Sequence, residues 1–157
     1  DVFPYYRQLD AMDCGPTCLR MIAKFYGKSY SLQTLRARSF ISRNGVPLGI
    51  SDAAESIGFR TSGVRVSFEQ LAEDVPLPCI LHWNQSHFVV CYDVKKKKGQ
   101  YTFRIADPAT QLVTYNELEL NERLATKSDG EEKGTALALE PTPDFYNGEG
   151  EPELKER

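Results

Sequence analysis

The sequence predicts an α+β domain, with a helical N-terminal half packed on a C-terminal antiparallel sheet. Apolar residues between Cys14 and Leu71 recur at helical spacing. Pro76 and Pro78 then break the chain. From Cys79 onward, short apolar runs and period-two alternation take over. The 157 residues suit one domain with one core, and a 41% apolar fraction is enough to fold it.

The elements follow in order. Asp13 is placed as an N-cap, and Pro16 sits in a first helical turn, where a missing N–H costs nothing. Cys14, Cys18, Met21, Ile22 and Phe25 share one face of that helix, and Gly27 stops it. A second short helix begins near Ser31 and carries Leu32 and Leu35. A third runs through Ile50, Ala53, Ala54 and Ile57 to Gly58. Ser67 and Gln70 form a capping box for a fourth. Cys79 to Trp83 then reads as a strand, Asn84-Gln85-Ser86 as a turn, and His87 to Val94 as the next strand. Tyr101, Phe103 and Ile105 alternate with Thr102, Arg104 and Ala106 in a further strand, which Asp107-Pro108 ends. Gln111 to Tyr115 and Thr135 to Leu139 are the last strands, with helical residues within Asn116 to Ala125. Residues 1–143 are assigned to the domain. Residues 144–157, rich in Gly, Pro, Glu and Lys, are assigned to a charged linker or tail.

A net charge of −3 gives no basic bias toward nucleic acid or anionic lipid. Lys95 to Lys98 is the one basic cluster; beside Gly99 and between two strands, it reads as a solvated hairpin tip. No stretch approaches the ~20 apolar residues that cross a membrane. Asp1-Val2-Phe3-Pro4 does not open a signal peptide, and the two ends read as those of an excised domain. A chain of this length does not need staples, so Cys14, Cys18, Cys79 and Cys91 are expected as free thiols in a reducing compartment.

Cys14 carries the chemistry. In the first turn of a helix it faces backbone N–H groups and the positive end of the macrodipole, which favour thiolate. Gly15 beside it lets another backbone approach. Cys18, Cys79 and Cys91 are expected as buried, inert thiols. A cysteine nucleophile needs a base and an orienter, and the chain has two histidines, His82 and His87. A regular hairpin centred on Lys97 sets Phe103 opposite Cys91, Ile105 opposite Val89 and Asp107 opposite His87. Directly paired residues have Cβ atoms ~5 Å apart, so Asp107 holds one nitrogen of His87 and leaves the other for Cys14. His82, on the neighbouring strand, is structural or lines the cleft. Gln8, six residues before Cys14, is placed to fold back on the helix start, where its side-chain N–H and the Cys14 amide face a developing oxyanion. A metal site on Cys79, His82, His87 and Cys91 is disfavoured: the spacings lie in apolar strands and do not converge on one face.

The run Gln8-Leu9-Asp10-Ala11-Met12-Asp13-Cys14-Gly15-Pro16-Thr17-Cys18-Leu19 resembles the signature of the double-glycine peptidases, papain-like domains of bacterial exporters that process bacteriocins and related peptides. Leu81-His82-Trp83, His87-Phe88-Val89-Val90 and Ala106-Asp107-Pro108-Ala109 extend the resemblance, which spans about Phe3 to Tyr146. It implies a papain-like fold and a cysteine endopeptidase with Gln8, Cys14, His87 and Asp107 in its active site. It implies no cofactor and no metal. Its substrate is implied to be the leader of a secreted precursor, cut after a Gly-Gly type pair in a narrow cleft, with Trp83 a candidate wall. The implied partners are that leader and the exporter's transmembrane and nucleotide-binding domains, on the cytoplasmic side of the inner membrane. The isolated domain is expected to be soluble and monomeric. The rival reading is a module that binds the leader without cutting it, and an intact Cys14 argues against it.

Overall fold

The computed structural model describes residues 2–40, 42–43, 46–47, 49–83, 87–124 and 133–148. A 3-10 turn at Ala11–Asp13 runs straight into α1 (Cys14–Phe25), followed by α2 (Leu32–Phe40) and a two-residue pair, β1 (Ser42–Arg43) and β2 (Val46–Pro47). Then come α3 (Ile50–Ser56), β3 (Phe59–Val66), α4 (Phe68–Asp74) and β4 (Cys79–Trp83). The hairpin β5 (His87–Lys97) and β6 (Gln100–Ala106) leads to β7 (Leu112–Asn116), α5 (Glu117–Leu124), β8 (Gly134–Pro141) and α6 (Pro143–Asn147). Six strands form one antiparallel sheet in the order β3-β8-β4-β5-β6-β7.

The sheet is covered on both faces. Ile80, Val90 and Leu139 point to the side where α1 lays down Cys18, Leu19, Met21 and Ile22, all fully buried apart from traces at Ile80 and Leu139. Their neighbours Leu81, Val89 and Cys91 point to the other side, with Phe103, Leu120 and Leu124. Each large side chain so buried contributes about 1.5–3 kcal/mol. Burial on both faces explains why Cys79 to Trp83 reads as a continuous apolar run rather than an alternating one. The capping box at Ser67 and Gln70 is formed, with both reciprocal bonds made, and it starts α4.

Four expectations need correction. β3 was not anticipated. It is an edge strand whose interior is solvent-facing and includes Gly63, with burial only at Phe59 and Val66, so it lacks a period-two signal. The folded unit also passes the boundary expected at Asp144. Phe145 in α6 is fully buried against Phe59, with ring centroids 4.6 Å apart. Its backbone lies so close to Gly58, at φ 105, that a Cβ there would meet the Phe145 nitrogen at 2.3 Å. Asp13 precedes α1 but makes no side-chain cap for it; its buried carboxylate is drawn into an ion pair with the half-exposed Arg36 instead.

The hairpin does not turn at Lys97. It turns at Lys98-Gly99, both at positive φ (51 and 78), the geometry of a two-residue turn that follows strand twist. Lys97 therefore pairs with Gln100, and a β-bulge between Cys91 and Asp93 shifts the register again, so Cys91 faces Ile105 and not Phe103. The turn expected at residues 84–86 lies outside the described residues, as do residues 149–157.

Candidate active site

Asp10 caps the 3-10 turn, accepting the Met12 N–H at 2.9 Å, and its own N–H donates to Asp13 Oδ2 at 3.2 Å. That turn delivers Cys14 at the first position of α1. Cys14 is 5% exposed, and it opens into a cleft walled by Met12, Ser39, Ile50 and Phe88. A Cβ on Gly15 would touch the Phe88 ring at 3.5 Å and Ile50 at 3.6 Å, so the missing side chain is part of the cleft's space.

His87 opens β5, and Asp107 follows β6. His87 Nε2 and Asp107 Oδ1 are 2.7 Å apart. The same ring hydrogen-bonds the Cys14 thiol. With Nε2 committed to Asp107, the nitrogen facing the thiol is Nδ1. Asp107 is held on several sides: Oδ1 accepts the Ala109 N–H at 2.9 Å, the carbonyl accepts the Tyr5 hydroxyl at 2.6 Å, and its N–H donates to Gln111 O at 3.1 Å.

The contact exists although the expected register does not, because two departures offset each other. The Lys98-Gly99 turn alone would set Asp107 opposite Val90, on the wrong face for His87. The bulge advances the pairing by one residue, to the Cys91–Ile105 and Val90–Ala106 register. Continued outward, that register sets Asp107 opposite Val89, on the face His87 shares.

The electrostatics follow. Burial opposes the Cys14 thiolate, but the hydrogen bond from His87, the backbone contacts of Phe88 and Gly15 and the imidazolium charge outweigh it, and the thiol lies below its ordinary pKa. The Asp107 hydrogen bond, then that of Cys14, push His87 up to about 9 despite burial. Burial raises Asp107, but His87 and the Ala109 N–H hold it below the usual carboxylate value. Near neutral pH the imidazolium and carboxylate forms therefore prevail, and the Cys14 thiol beside them is shifted toward thiolate.

The remaining predicted residues fall differently. The Gln8 N–H donates to Pro108 O at 2.8 Å, tying it to the Asp107 turn. Its side-chain nitrogen donates to Asp10 O at 3.0 Å, and its Oε1 is buried with no partner among the described residues. Trp83 is not a cleft wall. It is 3% exposed, in the core on the far side of the sheet, edge-on to Tyr115. The aromatic wall is Phe88, which the sequence pattern did not single out, although it adjoins His87. His82 backs that wall, its ring stacked on Phe88 at 4.6 Å. Cys18, Cys79 and Cys91 are free and fully buried. Cys79 and Cys91 face each other across strands; among the described residues, no three Cys, His, Asp or Glu gather as a metal-binding group.

A family model described as "Peptidase C39 family" matches residues 2–127. The chain belongs to the Peptidase C39 family. Its α+β architecture is the papain-like fold of C39 cysteine peptidase domains. It is similar to a double glycine motif protease from an AMS/PCAT transporter, solved in complex with the leader peptide (TM-score 0.74, 31% identity, 88% of this chain and 91% of that one). It is also similar to the peptidase domain of Streptococcus ComA, a bi-functional ABC transporter involved in a quorum sensing pathway (TM-score 0.69, 26% identity, 90% of this chain and all of that one). Among curated relatives, the colicin V secretion/processing ATP-binding protein of Escherichia coli is 34% identical over 145 residues, covering 92% of this chain and 19% of that protein. The probable microcin-H47 secretion/processing ATP-binding protein of Escherichia coli is 36% identical over 107 residues, 68% of this chain and 15% of that protein. This C39 chain thus spans less than a fifth of the length of these relatives. No described helix is long and apolar enough to cross a membrane.

Proposed function

We propose that this C39 chain cuts the leader from a secreted-peptide precursor after a Gly-Gly type pair, with Cys14 as nucleophile, His87 as general base and acid, and Asp107 as orienter. The observation that carries it is the hydrogen-bonded chain from Cys14 at a helix start, through His87, to Asp107. The cleft supports it as well. With no side chain on Gly15, and with Phe88 and Ile50 close by, it suits a thin backbone better than bulky side chains.

The Cys14 thiolate attacks the carbonyl carbon of the last leader residue. A C–S bond forms, and the C=O π pair moves to oxygen. The Cys14 N–H and the second N–H of the Gln8 amide, the first being committed to Asp10, hold that oxyanion. As C=O re-forms, the C–N bond breaks and imidazolium His87 gives its proton to the leaving amine. Neutral His87 then takes a proton from water, whose oxygen attacks the thioester. Collapse releases the leader acid and restores thiolate and imidazolium.

In the same reading the domain serves an exporter, at the cytoplasmic side of a bacterial inner membrane. The exporter's transmembrane and nucleotide-binding domains are its partners in this reading, and the isolated domain is a soluble monomer. The test is incubation with a peptide carrying a double-glycine leader, alongside Cys14→Ala. Cleavage by the parent, lost in Cys14→Ala, is expected. Cleavage that survives the substitution sinks the nucleophile assignment. Leader binding without cleavage by the parent replaces this reading with a non-cleaving recruitment module.

A further inference from the structure

Arg36 belongs to none of the motifs read from the sequence, yet its guanidinium reaches the residue just before Cys14. Nε donates to Asp13 Oδ1 at 2.9 Å and Nη2 to Oδ2 at 2.5 Å, a two-point fork from α2. The Asp13 side chain is fully buried, whereas that of Arg36 is 38% exposed. Asp13 Oδ2 also accepts the Asp10 N–H, and the Arg36 Nη2 lies 3.8 Å from Asp10 Oδ2. One guanidinium thus grips both ends of the turn from which α1 starts. A buried carboxylate one residue from a thiol opposes thiolate formation by like charge, unless a cation neutralises it. Arg36 is that cation, and its planar fork fixes direction as well as charge.

We propose that Arg36 is a positioning residue for Cys14. From α2 it fixes the Asp10–Asp13 turn, and so the aim of the Cys14 thiol and backbone N–H, while cancelling the Asp13 charge beside them. The inference rests on Cys14 being the nucleophile but not on the identity of the substrate.

The other titrating groups around Cys14 are His87 from β5, Cys18 one turn on in α1, and Asp107, which acts on Cys18. From β4, His82 lies behind Phe88. Asp52 and Glu55 of α3 are exposed to solvent.

The test follows alkylation of Cys14 by iodoacetamide across pH, mapped by mass spectrometry, together with kcat and KM on a double-glycine peptide. Arg36→Gln is expected to move the alkylation midpoint to higher pH by on the order of one pH unit. Its kcat is expected to fall about tenfold with little change in KM, since misaimed groups lose rate rather than affinity. Arg36→Lys restores the midpoint but not all of kcat. Asp13→Asn combined with Arg36→Gln returns the midpoint toward the parent's while kcat stays low. A folded Arg36→Gln with the parent's midpoint and kcat overturns the proposal. An unmoved midpoint with equal losses in all three variants also overturns it, since that pattern belongs to general stability. If Arg36→Gln does not fold, the other two variants are judged by the same criteria. If the midpoints shift as expected but the parent cuts no double-glycine peptide, Arg36 keeps its role and the substrate reading falls.

Discussion

The first and second turns of α1 carry the same side chain with its acidity shifted in opposite directions. Cys14 touches an open cleft and an imidazolium at the N-terminal end of α1, and its thiol sits below the ordinary pKa. Cys18 is packed wholly inside the apolar core; burial there, with the Cys14 and Asp107 charges added, pushes its thiol well above that value. One turn of helix separates a thiol shifted toward thiolate from one held protonated. The lesson is that surroundings decide reactivity, and the surroundings of Cys14 come from three separate places: the 3-10 turn, the start of β5 and the turn after β6.

Exchanging the two thiols for alanine breaks the comparison most directly. Cys14→Ala is expected to lower kcat on a double-glycine peptide by about four orders of magnitude or more, with an unchanged thermal melt. Next, Asp107→Asn leaves the Cys14 environment in place but loosens its imidazole. An expected loss of about 10²–10⁴ in kcat is read from steady-state kinetics. The pH profile should change with it. The parent's acid limb follows Cys14, below the ordinary thiol value, and its alkaline limb falls near 9 as His87 loses its proton. Because the Asp107 bond is the largest cause raising His87, the alkaline limb in Asp107→Asn moves to lower pH. Gln8→Ala removes the amide proposed to bind the oxyanion and is expected to cost about 10²-fold in kcat, with KM nearly unchanged. Cys18→Ala gives the smallest effect: kcat within a few-fold of the parent and a stability loss on the order of 1 kcal/mol in denaturant titration.

Helical periodicity disclosed α1 and its buried face, and the Ser67–Gln70 spacing disclosed the start of α4, because both signals are local. Cys14, His87 and Asp107 were also legible as a set, since a strand pair brings distant residues into reach. The details were not. Nothing in the four lysines marks which pair makes the turn, and a bulge at Tyr92 leaves no mark in an apolar run. Trp83 could not be sorted into core or cleft from its neighbours, because both faces of β4 are covered. Arg36 carried no signal, since its fork to Asp13 spans 23 residues and joins two helices. The crossover that inserts β8 between β3 and β4 is likewise a long-range choice, made by packing.

Limiting iodoacetamide, applied at a series of pH values and followed by peptide mapping of all four cysteines, tests the central claim most directly. The account predicts that the label appears on Cys14 alone, with a midpoint below the ordinary thiol value of 9.0 that rises when His87 is replaced by alanine. Label on Cys18, Cys79 or Cys91 at a comparable rate would contradict it. So would a Cys14 midpoint at the ordinary value that ignores His87.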